Sequence, residues 1–204
     1  MSITLHKGDI PAGLNFGDSL AIDTETLGLR VARDPLCLVQ LSSGDGNAHL
    51  VQMDRSSYDA PNLKALLADE SVVKIFHFAR FDIAAIKRYL GVDCTPVYCT
   101  RTASRLARTY TDRHGLKHVC RELLGVEISK QQQSSDWGAD ELSQAQMEYA
   151  ASDVYHLHAL QEKLDMMLVR EKRMELAQKC FDFLPARADL DLAGWENEDL
   201  FAHS

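Results

Sequence analysis

The sequence predicts an α/β protein in which a mixed five-stranded sheet is flanked by helices. Three observations predict it. Apolar runs separated by turn-forming residues crowd the first quarter of the chain. Two further apolar runs, the first of them β-branched, enclose a segment with helical spacing. From residue 100 onward the pattern is helical almost to the end. Strands first, one strand-helix-strand passage, then helices make a layered α/β domain rather than a sandwich or a bundle.

In chain order, an N-terminal lead is followed by a first strand over residues 20–25, and 35–41 and 49–52 supply the next two. The links 26–34 and 42–47 are short and the second is turn-rich, so these three strands predict an antiparallel meander. Residues 62–67 have helical spacing, and 72–76 (Val-Val-Lys-Ile-Phe) return as a β-branched strand. A helix follows over 80–90, stopped by Gly91, and 97–99 form a short fifth strand. Breaks at 112–115 and 125–138 divide the helical remainder, and a long run extends from 143 to about 180.

The chain of 204 residues is long enough to bury a core without disulfides. Residues 1–13 lack a charged-then-apolar pattern and no eighteen apolar residues run together, so the expectation is a cytoplasmic protein with no membrane partner. Five cysteines, with no Cys-x-x-Cys pair, read as reduced thiols. A net charge of -8 argues against coating long nucleic acid by charge alone. Locally, six bases from Arg101 to Arg121 face a single acid, Asp112, so this segment could hold phosphates; a solvated helix face would look the same.

Chemistry gathers on carboxylates. In a strand, Asp23 and Glu25 share a face about 7 Å apart, and with no Lys or Arg in the run a divalent cation is the simplest compensation, although one acid could instead turn to solvent after the strand. Asp82 starts the helix after the fourth strand, where ligands collect in such sheets and where an acid also suits the helix dipole. Tyr149 and Asp153, four apart on a helix, point together, and the small residues between them allow close packing. His114 and His118 have zinc-pair spacing but no third ligand at a recognisable distance.

Together, Asp23-x-Glu25, Asp82 and Tyr149-x-x-x-Asp153 resemble the DEDDy branch of the 3'-5' exonucleases, the ribonuclease D-like family. Flanking segments fit as well: 116–124, Lys130, Ser135-Asp136-Trp137 and 142–146. The resemblance implies a ribonuclease H-like fold and hydrolysis assisted by two divalent ions, Mg2+ or Mn2+. By matching positions, Asp23, Glu25 and Asp153 would hold the first ion and Asp23 with Asp82 the second, while Tyr149 would orient the attacking water. The product would be a nucleoside 5'-monophosphate. All five positions are filled, which speaks against a decayed, merely binding module.

Two departures refine the expectation. The Asn that usually follows the histidine of the second motif, His77 here, is Phe78, which exchanges a polar contact for a stacking surface. Only about forty residues follow Leu164, too few for the helical nucleic-acid-binding domain of ribonuclease D. Within the branch the chain most resembles the nano-RNase C (NrnC) group, which implies short single-stranded RNA, dinucleotides above all, as substrate, possible action on DNA, and a homo-oligomer of eight subunits. The alternative is trimming of longer structured RNA or DNA 3' ends. Leu29 matches a leucine that wedges between bases, though a loop leucine packed on the core would fit too; Arg105 and Arg108 are the candidates for a 5' phosphate. The expected organisation is an exonuclease domain over 1–180 and an assembly tail over 181–204.

Overall fold

The computed structural model describes residues 1–129 and 131–203; Lys130 and Ser204 lie outside the described residues. Among the described residues the sheet has six strands: β1 (Ser2–Lys7), β2 (Ser19–Thr26), β3 (Leu36–Ser42), β4 (Asn47–Gln52), β5 (Val73–Phe76) and β6 (Val97–Cys99), in the order β1-β4-β3-β2-β5-β6. The meander β2-β3-β4 is antiparallel as its turns predict, and β2, β5 and β6 pair in parallel.

The sixth strand corrects the expected five. Ser2–Lys7, read as a lead, pairs in parallel with β4, from Ser2 opposite Asn47 to Lys7 opposite Gln52. Its side chains are exposed or half-buried, so its apolar signal is weak; a pairing between segments more than forty residues apart creates it.

Helices α1 (Pro61–Ala68), α2 (Ala79–Leu90), α3 (Thr100–Ala107) and α4 (Leu116–Leu124) precede α5 (Gln144–Tyr155), α6 (Leu157–Arg170) and α7 (Met174–Leu190). The long run expected from 143 to 180 is thus three helices. The first opens on a capping box between Ser143 and Gln146, and a backbone break at His156 turns α5 into α6. A main core including Leu20, Ile22, Ile75, Phe76, Leu160 and Leu164 fills one face of the sheet. A smaller cluster of Leu38, Leu50, Trp137, Leu142 and Ala150 fills the other, beneath α5.

The expected boundary at residue 180 falls inside α7. Phe181, just past it, is 2% exposed and packs against Tyr98 at 4.6 Å between ring centroids. α7 therefore runs unbroken across residue 180 to Leu190, with Ala177, Phe181 and Ala188 buried along one apolar face.

Candidate active site

From Ile22 onward β2 alternates between buried and half-buried side chains. Leu20, Ile22 and Thr24 are buried on one side, and Asp23 and Glu25 stand half-buried on the other. The ladder to β5 stops at Ala21, so both carboxylates project beyond its end. The chain leaving β5 turns through Phe78, whose φ of 81° swings it into α2. The first turn of α2 brings Asp82 against β2, where Thr24 Oγ1 donates to Asp82 Oδ1 at 2.6 Å. Ala150 and Ala151, fully buried, let α5 lie close on the sheet and deliver Tyr149 and Asp153.

Asp23, Glu25 and Asp153 thereby place one carboxylate oxygen each within 4.8 Å of one another. Asp82 is outside this trio but close enough for its charge to act on Asp23 and Glu25. Gln40, opposite Asp23 in β3, donates Nε2 to Asp23 Oδ2 at 3.3 Å.

The acids are costly to ionise together. Burial holds the Asp23 carboxyl well above the ordinary carboxylate range, and Asp82, Asp153 and Glu25 add repulsion. Glu25 is pushed up to about 9 by burial and then by Asp153 and Asp82. Burial raises Asp82 to about 7 against the opposing hydrogen bond from Thr24. Tyr149 is raised by burial first, then by the charges around it and its hydrogen bond to Asp153, so its phenol stays protonated at neutral pH. Hard oxygen donors that repel one another and cling to protons are what a divalent cation relieves, so this donor set fits Mg2+ or Mn2+.

Asp23, Glu25, Tyr149 and Asp153 line a cleft of about 250 Å3, together with His77, whose Nδ1 lies 2.8 Å from Thr100 Oγ1. Leu29 is 89% exposed at the tip of the loop after β2. That loop is braced by Asp34, which accepts from Arg30 N at 2.9 Å and presses so close to Gly28 that a Cβ there would sit 2.2 Å from Asp34 Oδ2. Phe78 is 42% exposed, with the Arg101 guanidinium 4.9 Å from its ring centroid.

The basic segment divides differently from the expectation. Arg101 and Lys117 line the cleft; Arg105 is exposed outside the cleft lining. Arg108 must be withdrawn as a phosphate ligand: it is fully buried, donating to Ser104 Oγ at 2.8 Å and to Arg113 O at 3.0 Å and pairing with Glu122. Arg101, Arg105 and Arg108 are spaced to share a helix face, but α3 ends at Ala107 and Arg108 adopts a non-helical φ of -109° and ψ of 61°. His114 Nδ1 lies 2.9 Å from Ser104 Oγ, and neither His114 nor His118 belongs to a metal-binding cluster among the described residues.

The pattern of a 3'-5' exonuclease family matches residues 10–169. The chain belongs to that family. A ribonuclease D of Gluconacetobacter diazotrophicus is 36% identical over 156 residues, which cover 76% of this chain and 39% of the relative. The chain thus spans about two fifths of the length of the curated ribonuclease D relatives it first matches. Among solved structures, Brucella melitensis NrnC with bound Mg2+ superposes with a TM-score of 0.96 at 54% identity, covering 100% of both chains. The same protein bound to pGG gives 0.97 at 55%, again covering 100% of both. Escherichia coli RNase D, an exoribonuclease involved in structured RNA processing, gives 0.73 at 26%, covering 84% of this chain and 45% of that one. The α/β fold is accordingly of the ribonuclease H-like exonuclease type, with six strands in the mixed sheet.

Proposed function

We propose that this member of the family is a metal-dependent 3'-5' exoribonuclease that degrades short oligoribonucleotides, dinucleotides above all, to nucleoside 5'-monophosphates. The convergence of Asp23, Glu25 and Asp153 beside Tyr149 and Asp82 carries the reading. Similarity across the whole chain to Brucella melitensis NrnC bound to pGG supports the substrate class. The five cysteines are free thiols, which suits a reducing cytoplasm.

Asp23, Glu25 and Asp153 would hold one ion, and Asp23 with Asp82 a second. Bound there, the ions would offset charge at the scissile phosphate and lower the pKa of water. The Tyr149 phenol, neutral and anchored on Asp153, orients the water that attacks phosphorus; the P–O3' bond breaks, giving a 5'-monophosphate and a new 3'-hydroxyl. Thr24 fixes the Asp82 carboxylate. Leu29 and Phe78 offer surfaces for two bases, stacking being worth about 1–3 kcal/mol per base whatever the sequence. Arg101 and Lys117 replace Arg108 as the cations that meet substrate phosphates, and Arg105, exposed outside the cleft lining, is left for a phosphate beyond it.

A cleft of this size, with few cations, holds few phosphates at once. With purified protein, Mg2+ or Mn2+ and end-labelled RNAs of increasing length, 5'-phosphorylated dinucleotides are expected to be cleaved fastest, with little base preference. Removing the 5' phosphate, or changing Arg101 or Lys117 to Gln, should slow cleavage. Equal efficiency on a dinucleotide and a ten-residue RNA would favour the second reading, trimming of longer structured RNA or DNA ends, which the ribonuclease D relatives support. The same series on DNA measures the sugar preference.

The C-terminal segment supports a homo-oligomer, which we put at eight subunits. Phe183, Leu200 and Phe201, 41–81% exposed, leave large apolar groups around one pocket, and Trp195 on the same segment is 41% exposed. Arg80 holds this segment against α2 through two hydrogen bonds to Asp191, at 2.6 and 2.7 Å. Light scattering should report a mass near that of eight 22.8 kDa chains at micromolar concentration; a monomer would contradict the assembly.

A further inference from the structure

Three consecutive carbonyls in the strap between Trp137 and α5 are held by side chains from one edge of the sheet. Arg55 Nη2 donates to Gly138 O, Gln52 Nε2 to Ala139 O and Lys7 Nζ to Asp140 O, each at 2.8 Å. Lys7 also donates to Gln52 Oε1 at 2.6 Å, which ties the ends of β1 and β4 into one clamp. From the other side Gln146, in α5, donates Nε2 to Asp136 O at 3.1 Å. Water satisfies loop carbonyls at no cost in order, whereas an Arg, a Gln and a Lys each lose rotamer freedom in doing so.

The strap carries Trp137. This ring is 3% exposed and lies 6.0 Å from the Tyr149 ring, tilted by 36°. Its indole Nε1 has no hydrogen-bond partner among the described residues, so packing and the strap's backbone set its place. Gly138 leaves no slack: a Cβ there would meet Leu27 Cδ2 at 2.7 Å, Arg55 Nη1 at 2.9 Å and Asp136 Oδ1 at 3.3 Å. The two nearest are ends of flexible side chains, so an added methyl would displace Arg55 from the strap rather than disrupt the core.

We infer that Arg55, through the strap and the Trp137 ring, is a positioning residue that sets the Tyr149 hydroxyl over the reacting phosphate. The inference rests on the role given to Tyr149 above. Tyr149 is half-buried with Asp153 as its hydrogen-bonding anchor, and one anchor leaves the ring free to pivot. Trp137 supplies the wall that stops it. A small displacement of a positioned group can cost as much as about a hundredfold in rate without weakening substrate binding.

A double-mutant cycle tests this on a 5'-phosphorylated diribonucleotide at saturating Mg2+. Arg55→Ala should lower kcat at least about tenfold with KM nearly unchanged. In the Tyr149→Phe background the same change should cost almost nothing, because the group it positions is already gone. Arg55→Lys should recover part of the rate, and Trp137 fluorescence, recorded in a Trp195→Phe background, should shift in Arg55→Ala and not in Arg55→Lys. If Arg55→Ala does not fold, Gly138→Ala takes its place with the same expectations. An unchanged kcat, or an equal loss in both backgrounds, would overturn the positioning role while leaving the exonuclease reading intact. A Tyr149→Phe enzyme as fast as the parent would instead bring down the role of Tyr149 and this inference with it.

Discussion

Asp82→Asn is expected to remove most turnover, by about a thousandfold, while leaving the fold intact and the metal-free protein more heat-stable. The kinetic part follows from charge: asparagine keeps the shape and an oxygen that still accepts from Thr24 Oγ1, but withdraws one of the negative groups that would hold a divalent ion. Loss of one preorganised electrostatic group costs about 10²–10³ in rate, and loss of a ligand lies at the upper end. The stability part follows from protons. The folded-state value for Asp82 is about 7 and for Glu25 about 9, both above ordinary carboxylates. Between about pH 4 and those values the folded chain binds more protons than the unfolded one, so metal-free stability falls as pH rises through that window. Removing the Asp82 carboxylate relieves part of this, a few kcal/mol at most. Calorimetry in chelator should therefore show Asp82→Asn melting above the parent at pH 8, with the gap closing towards pH 4; Mg2+ should raise the parent's melting temperature more at pH 8 than at pH 5. Substantial activity of the variant at saturating Mg2+ would sink the assignment of Asp82.

Tyr149→Phe should cost about a hundredfold in kcat with substrate affinity nearly unchanged. Phenylalanine keeps the ring and its contact with Trp137 and deletes the hydroxyl that bonds Asp153. A group that positions or exchanges a proton with the nucleophile contributes about 10²–10⁴. The Tyr149 pKa is raised, so the hydroxyl is a protonated donor and acceptor across the neutral range, and the pH-rate profile should keep its shape in the variant at a lower level. Single-turnover kinetics separate the cases: weaker binding at an unchanged rate constant would make Tyr149 a stacking or core residue.

Four of the five proposed catalytic positions were legible in the sequence as local repeats, and the family resemblance joined Asp82 to them. Asp23 and Glu25 share a face by the two-residue period of a strand, and Tyr149 and Asp153 share one by the turn of a helix. Apolar periodicity likewise placed the meander, the β5-α2-β6 passage and the helical second half, since those patterns report which face each element buries. Tertiary structure alone decided what depends on chain segments meeting. Ser2–Lys7 becomes a strand because β4 offers it an edge. Asp82 reaches the other acids through Thr24, a residue whose polarity gave no warning of that bond. Arg101, Arg105 and Arg108 look equivalent along the chain, yet the first meets the cleft, the second solvent and the third a buried pocket, because α3 ends between the last two. The clamp of Lys7, Gln52 and Arg55 on residues 138–140 joins segments more than eighty residues apart, through backbone carbonyls that every residue carries and no side-chain pattern can announce.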